Sequence, residues 1–347
     1  MMRTIKQLLM TVAVLLCSVA ANAYDFETDG ICYDITSATD LTVSVASGSE
    51  KYKGKIDIPS TVTYNSSTYT VTGIRGAAFR ASMVLTQVTI PNSVKTIDAF
   101  AFSNCRNLSG VTIGNGVTSI EYSTFENCES LASVTIGNSV TYIGEYAFAS
   151  CKRLTSITIP NSVKTIGQFA FQGCAKLTDV TVGNSVTTIE WYAFQFCSNL
   201  ASITIPGSVT MIEDYAFAAC SKLASICMLG KTPPSACNFT DEQYANITLY
   251  VPEGSLEAYR NADKWKNFQN IQESGATGIS NADAGNVAIE ATANGISLSG
   301  AEGKAVAVYT ANGTRVAYIG NYAGEEIALG NGVYIVQAGG YVMKVKL

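Results

Sequence analysis

The chain has 347 residues, of which 47% are hydrophobic and 14% charged, and its formal net charge is −5. This composition is too apolar for a disordered protein, and a mildly acidic chain without a basic cluster is not typical of a nucleic-acid-binding protein. The sequence contains no histidine. Its absence excludes Ser-His-Asp and Cys-His catalysis and every histidine-ligated metal site.

Residues 1–23 have the pattern of a secretion signal. Two basic residues precede an apolar run from Leu8 to Ala21, and Ala21-Asn22-Ala23 is a small-residue cleavage site. The run is too short to span a membrane. We therefore predict a signal peptide over 1–23 and an exported chain, either secreted or on the exterior of the outer membrane. Cys17 leaves open the alternative of a lipid-anchored cysteine.

Residues 24–76 are predicted to form an N-terminal β cap. Short runs of β-branched and aromatic residues indicate strands there, with Asn65-Ser66 as a turn between the last two. The predicted strands are Ile31 to Thr36, Leu41 to Ala46, Lys55 to Ile58 and Thr68 to Val71.

Residues 77–228 repeat with a period of 23. One unit reads Leu154-x-x-Ile157-Thr158-Ile159, followed by Val163, Ile166 and Ala170-Phe171-x-x-Cys174. A period of about 20–29 with this start predicts a leucine-rich repeat solenoid, here with about seven coils. Because each unit buries too few side chains to fold alone, the coils must stack and be capped. The phenylalanines of the repeat are Phe79, Phe102, Phe125, Phe148, Phe171, Phe194 and Phe217.

Six cysteines keep the same period and end each unit. Zinc or disulfides are the alternatives to buried thiols, but stacked coils hold thiols parallel instead of converging, and the coil spacing exceeds disulfide geometry. We expect buried free thiols. A disulfide between Cys227 and Cys237 stays open. The six are Cys105, Cys128, Cys151, Cys174, Cys197 and Cys220.

Residues 229–273 are predicted to form a C-terminal cap, with a last strand from Ile247 to Val251 and a helix from Ser255 to Phe268. Residues 274–286 are rich in small and polar residues and indicate a linker. Residues 287–347 alternate in short strands with a hairpin turn at Asn312-Gly313, and they predict a small antiparallel β-sandwich domain. Its predicted strands are Ile296 to Leu298, Ala305 to Tyr309, Val316 to Ile319, Gly332 to Val336 and Tyr341 to Val345.

The repeat unit Val-Thr-Ile-Gly/Pro-Asn-Ser-Val-x-x-Ile-x-x-x-Ala-Phe-x-x-Cys resembles the BspA-like leucine-rich repeat family of bacterial surface proteins. The resemblance covers residues 56–273 and includes the Ile58-Pro59 and Pro252-Glu253-Gly254 segments of the two caps. It implies an adhesin that binds host matrix proteins or other bacteria. Residues 308–316 and 332–336 are similar to the sorting domains of type IX secretion cargo, which implies a domain read during export.

Two surfaces of the predicted solenoid are candidate binding sites. The first is a flat strand face of outward hydroxyl and polar groups, which also suits β-propensity alone. The second is a ridge of aromatic and acidic side chains just before each Ala-Phe pair. The alternative is that the rings of this ridge cover the hydrophobic core. The strand face contains Gln87, Thr89, Thr112, Thr135, Thr158, Asp179, Thr181 and Thr204. The ridge contains Phe100, Tyr122, Tyr146, Phe169, Trp191, Tyr192, Tyr215, Glu190 and Glu213.

Glu190 and Glu213 are the best candidates for a pair of catalytic carboxylates, but glycoside hydrolysis needs an enclosing cleft that a ridge does not provide. The sequence therefore predicts a non-catalytic adhesin or binding scaffold without cofactor or metal, and a monomer. Its partner would be an extracellular protein, from host matrix or a bacterial surface, or a glycan. A glycan-binding accessory protein of a nutrient uptake system and a passive cell-envelope component are the alternative functions.

Overall fold

The computed structural model describes residues 24–235, 238–273, 287–292, 294–310, 315–330, 332–338 and 341–346. The predicted signal peptide with Cys17, the predicted linker, Cys237 and the predicted Asn312-Gly313 turn lie outside the described residues.

The strands of the N-terminal cap pair in the order β1-β2-β3-β6-β5, with β3 and β6 parallel and the other neighbours in this order antiparallel. Asn65 and Ser66 have positive φ and join β5 to β6, which confirms the predicted turn. Phe26 stacks on Tyr64 with 4.2 Å between ring centroids and closes this end of the core. The strands are β1 (Phe26–Thr28), β2 (Ile31–Ser37), β3 (Thr42–Val45), β4 (Lys53–Asp57), β5 (Thr61–Tyr64) and β6 (Ser67–Ile74).

One long strand of each coil forms a column of parallel strands along the solenoid. Neighbours pair one period apart, as Val88 pairs with Val111 and Ile157 with Val180. Strands of both caps join this column, since β4 pairs with β7 and β20 pairs with β19 and β21. The other strands are β7 (Val84–Ile90), β9 (Gly110–Ile113), β11 (Ser133–Thr135), β13 (Ser156–Thr158), β15 (Asp179–Thr181), β17 (Ser202–Ile205), β19 (Ser225–Met228), β20 (Thr248–Val251) and β21 (Asn270–Glu273).

A second column consists of two-residue strands, and its sheet runs in the order β10-β12-β14-β16-β18, while β8 pairs with β6 of the cap. In each strand the isoleucine points into the core and the preceding residue points outward. The members are β8 (Thr96–Ile97), β10 (Ser119–Ile120), β12 (Tyr142–Ile143), β14 (Thr165–Ile166), β16 (Thr188–Ile189) and β18 (Met211–Ile212).

The seven repeat phenylalanines stack in one buried column whose ring centroids lie 4.6–5.6 Å apart. The predicted leucine-rich solenoid is therefore confirmed. It has about nine turns of about 23 residues, more than the seven predicted, because the cap strands continue the same stack.

The six repeat cysteines are buried free thiols, as predicted. Each thiol donates to the carbonyl oxygen of a phenylalanine 26 residues earlier, for example Cys151 Sγ to Phe125 O at 3.4 Å. Burial raises the pKa of the Cys151 thiol well above its ordinary value. Among the described residues, no three metal-ligating side chains form a cluster.

The C-terminal cap differs from its prediction. A helix lies within the range predicted from Ser255 to Phe268, but its length is wrong: α2 (Leu256–Asn261) ends early, and a separate 3₁₀ turn covers Trp265–Asn267. The break, where Lys264 has φ 67°, lets Tyr259 and Trp265 both enter the core with their rings 5.7 Å apart. The preceding helix α1 (Asp241–Asn246) is held by a capping box between Thr240 and Gln243.

The C-terminal domain is a pair of antiparallel sheets, β22-β23-β26 and β25-β24-β27-β28. Ile296 of the first sheet and Val306, Val308 and Val336 of the second share one buried core, which confirms the predicted sandwich. Its strands are β22 (Ala288–Ala291), β23 (Gly295–Ser299), β24 (Val306–Thr310), β25 (Arg315–Ile319), β26 (Ile327–Ala328), β27 (Val333–Ala338) and β28 (Tyr341–Lys346).

Candidate functional site

Six ridge aromatics form a continuous column of contacting rings, here called the aromatic ladder. Five of them recur in one turn of each coil, and successive rings have centroids 4.7–5.9 Å apart. Among the ring contacts of the described residues, none joins the ladder to the buried phenylalanine column. The ladder consists of Phe100, Tyr122, Tyr146, Phe169, Tyr192 and Tyr215.

Five ladder residues have left-handed backbone, with φ between 54° and 60°. This conformation costs a non-glycine residue roughly 1–2 kcal/mol, and strained residues persist only where the surrounding structure compensates. The second left-handed column of the coils has small or polar residues at most levels, for example Asn104 and Gly173. The ladder therefore has large rings at a position where the backbone favours small residues.

One coil of the ladder lacks the periodic aromatic residue, and the ring of Tyr122 takes its place. Ser123 occupies the left-handed position of its coil, with φ 51°. The ring of the preceding residue, Tyr122, lies between Phe100 and Tyr146 at 5.1 and 5.9 Å and nearly perpendicular to both. The column of rings thus crosses a coil that lacks the periodic aromatic residue.

Most ladder rings cover each other's faces. Tyr146, Phe169 and Tyr192 are parallel to within 6° at centroid distances of 4.7 and 5.1 Å. Parallel rings this close overlap with an offset, so solvent meets mainly ring edges. Trp191 is different, because its side chain is 50% exposed and makes no ring contact among the described residues. About half of this residue is therefore accessible to a partner.

The ridge carboxylates accept hydrogen bonds from the backbone of the preceding coil. Gln168 N donates to Glu190 Oε2 at 3.0 Å, and Trp191 N donates to Glu213 Oε2 at 3.2 Å. Burial raises the pKa of the Glu190 carboxyl, and the charges of Glu213 and Glu145 raise it further. These acids stabilise turns and remain crowded by like charge.

Tyr142 also belongs to this region, although the repeat pattern does not predict it. Burial raises the pKa of its phenol, and the nearby carboxylates of Glu190, Glu121 and Glu145 add to the shift. Tyr142 is the first residue of a two-residue strand, a position that is Thr or Ser in four of the other five coils. The aromatic residue at this position is the feature of the sequence that distinguishes Tyr142. Tyr142 lies near acids of three different coils.

The strand face is open over its first coils and covered over its last ones. Gln87, Thr112 and Thr135 are exposed, while Thr89, Thr158 and Asp179 are half-buried. Burial raises the pKa of the Asp179 carboxyl. Thr181 and Thr204 are only 8% and 3% exposed, so the expectation that they belong to an open face is wrong.

The C-terminal domain packs on the last coils of this face. Tyr309 and Ile335 pack against Cys227 and Leu229 of the last coils. Because Thr204 pairs with Cys227 in the sheet, the same contact buries the threonine. Farther along the face, Arg315 and strand residues that include Thr135 and Thr158 line a cavity of about 450 Å³.

Within the part of the chain that the structure describes, no helix is both long and apolar enough to cross a membrane. The sequence matches the family model BspA type Leucine rich repeat region, with six copies over residues 55–160 and 143–249. A search of curated proteins gave no match.

Solved structures that are similar to this chain include three bacterial leucine-rich repeat proteins. A leucine rich cell surface protein of Faecalibacterium prausnitzii is 27% identical with a TM-score of 0.56, covering 67% of this chain and 72% of its own. A leucine-rich repeat protein of Bacteroides ovatus is 29% identical with a TM-score of 0.55, covering 72% and 68%. The leucine rich repeat protein of T. pallidum is 26% identical with a TM-score of 0.50, covering 57% and 90%.

Proposed function

The chain belongs to the BspA type leucine rich repeat family, and from this premise we propose that it is an exported adhesin or binding scaffold without turnover chemistry. It acts at the cell surface or outside the cell, where it binds a protein of the host matrix or of a bacterial surface. The predicted signal peptide over 1–23 and the similarity to a cell surface protein of F. prausnitzii support this location.

One observation carries the proposal: the aromatic ladder and Trp191 form an extended, preformed apolar ridge at the surface. Tyr122, Trp191 and Tyr215 are exposed aromatic side chains, the type that dominates binding energy at protein interfaces. The stacked coils hold these rings in place before binding, which reduces the ordering cost of association.

The ridge suits a protein partner better than a sugar. Glycan recognition by aromatic residues uses open ring faces, whereas Phe169 and Tyr192 lie in a stack parallel to within 6°. Glu190 and Glu213 serve as hydrogen-bond acceptors for backbone N–H groups, so they support the turns and are not proposed as a catalytic pair.

The test is a binding screen of residues 24–347 against matrix proteins, bacterial cells and a glycan array. The ridge variant carries Trp191→Ala, Tyr192→Ala and Tyr215→Ala; alanine is compatible with the backbone because Ala77 and Ala219 have positive φ in other coils. Loss of protein binding in this variant, with an unchanged far-UV spectrum, supports the proposal.

The control variant places lysine at Thr112 and Thr135 on the open part of the strand face. Loss of binding in this control with retention in the ridge variant would move the site to the strand face. Binding confined to the glycan array would support an accessory protein of nutrient uptake. Binding to nothing would favour a passive envelope component.

A further inference from the structure

Trp191 is the most exposed of the ridge aromatics, and two carboxylates are adjacent to it. Glu190 is its chain neighbour, and Glu213 accepts its backbone N–H at 3.2 Å. From this arrangement we infer that Trp191, Glu190 and Glu213 form a site for an arginine side chain of a basic, extended segment of the partner. The inference rests on the proposed function and specifies the chemistry of its partner.

The charge of this region favours a cationic partner. In the described ranges, no Lys or Arg nitrogen lies within 4.0 Å of a carboxylate oxygen of Glu145, Glu190 or Glu213. Glu129, by contrast, is paired with Lys152 at 3.4 Å and with Arg106 at 3.9 Å on another part of the surface. The ridge acids thus form a negative patch without described counter-ions, which a cationic ligand complements.

A guanidinium already lies on the ladder within this chain. The Cζ atom of Arg80 lies 5.5 Å from the centroid of the Phe100 ring at the N-terminal end of the ladder. A cation within about 6 Å of an aromatic centroid is attracted by the ring quadrupole, and tryptophan gives the strongest attraction. Trp191 lies near the C-terminal end of the ladder, and its ring would attract a cation more strongly than Phe100 does.

The shape of the patch favours an extended segment. Glu121, Glu145, Glu190 and Glu213 come from four of five successive levels of the solenoid, the level of Gln168 having no acid there, and coils rise about 4.8 Å each. The carboxylates therefore span roughly 20 Å, the length of about six extended residues. A peptide along this edge would place alternate side chains on the ridge, and arginine suits it because its planar group both stacks and pairs with carboxylates.

The experiment measures the fluorescence anisotropy of a labelled hexapeptide of alternating arginine and serine, titrated with residues 24–347 at low salt. Matched peptides contain lysine or glutamate in place of arginine. The arginine peptide should bind most tightly, the lysine peptide less tightly and the glutamate peptide not at all. Binding should weaken as salt is raised to 0.5 M, because exposed charges are screened.

Variants locate the site. Trp191→Leu keeps apolar area but removes the ring, and it should weaken binding by roughly threefold or more. The double variant Glu190→Gln with Glu213→Gln keeps hydrogen-bond acceptors for the backbone and removes charge, and it should weaken binding similarly. Glu129→Gln makes the same charge change elsewhere and should leave binding unchanged.

Equal binding of the glutamate peptide, or an equal loss in Glu129→Gln, would overturn the inference. So would unchanged affinity in Trp191→Leu. If the arginine peptide fails to bind while the ridge variant still loses a protein partner from the screen, the basic segment is wrong and the proposed function stands. If neither experiment shows a role for the ridge, both the inference and the proposed function are wrong.

Discussion

The backbone N–H of Trp191 donates to the carboxylate of Glu213 in the next coil at 3.2 Å. Glu190 accepts from Gln168 in the same way at 3.0 Å. These bonds need an acceptor oxygen but no charge. Glu213→Gln should therefore preserve stability, whereas Glu213→Ala should lower the free energy of unfolding by about 1 kcal/mol. Urea unfolding of both variants measures this, and equal losses would show that the charge itself stabilises the turn.

The pH dependence of stability should report the crowding of Glu190. Because burial, and then the charges of Glu213 and Glu145, raise the pKa of this carboxyl, folding favours its protonated form. Above the raised pKa, the ionised carboxylate lowers the free energy of unfolding. This destabilisation decreases as pH falls through the raised pKa, and it is absent below the unfolded-state pKa near 4.5. Glu190→Gln should therefore have a melting temperature at pH 7 at least equal to that of the unaltered chain.

The advantage of Glu190→Gln should shrink as pH falls toward 4.5, which thermal unfolding at a series of pH values can follow. Glu129→Gln serves as the control, since it removes an acid that is paired with Lys152 instead of crowded by like charge. A Glu190→Gln chain that melts lower at pH 7 and equally at pH 4.5 would contradict this account.

The repeat could be predicted from sequence because its physics is local to one period. Phe148 and Phe171 occupy the same place in successive units, and a column of identical rings is the arrangement that buries all of them. The number of turns was underestimated, since Lys53–Asp57 and Asn270–Glu273 join the strand column without the full repeat motif.

The burial of the last coils of the strand face could not be predicted from the repeat pattern, because it depends on tertiary packing. Outward positions carry Thr at 158, 181 and 204 but Cys227 and Tyr250 in the next two coils. That change to apolar residues is a signal for a packing partner, but it does not say which segment packs there. Likewise, the periodicity placed Tyr192 on the ridge, while only the ring geometry shows that Phe169 and Tyr215 cover its faces.

Buried and exposed phenylalanines should differ sharply in their effect on stability. Phe148 is fully buried between Phe125 and Phe171 at 5.3 and 5.4 Å. Phe148→Ala should lower the free energy of unfolding by about 3–5 kcal/mol. Phe196 is 53% exposed, and Phe196→Ala should change it by less than about 0.5 kcal/mol. Comparable losses in the two variants would mean that Phe148 is not in the core.

The cysteine column should be chemically inert in the folded protein. Burial raises the pKa of Cys105 to about 11 and that of Cys174 to about 12, and the thiolate is the reactive form. In residues 24–347 carrying Cys237→Ser, Ellman's reagent at pH 8 should label no thiol before denaturant is added. In denaturant it should label the eight cysteines that are buried and free in the structure. Rapid labelling of the native chain would contradict their burial.

Docking of the C-terminal domain should be separable from folding of the solenoid. Tyr309 is 2% exposed and packs in one cluster with Cys227 of the last coils. Among the described residues, the polar atoms Thr204 Oγ1 and Gln337 Oε1 are buried without hydrogen-bond partners, which is unfavourable, and the apolar contact offsets that cost. Tyr309→Glu places a charge in this contact and should release it.

Release should make Cys227 reactive toward Ellman's reagent in the Tyr309→Glu variant, again in the Cys237→Ser background, while Cys105 to Cys220 of the repeats remain unreactive. The matched control is Tyr318→Glu, because Tyr318 is 41% exposed; its charge should leave Cys227 protected. Mass spectrometry of the labelled peptides identifies the modified thiol. Labelling of Cys227 in both variants, or in neither, would show that Tyr309 does not hold the domain on the strand face.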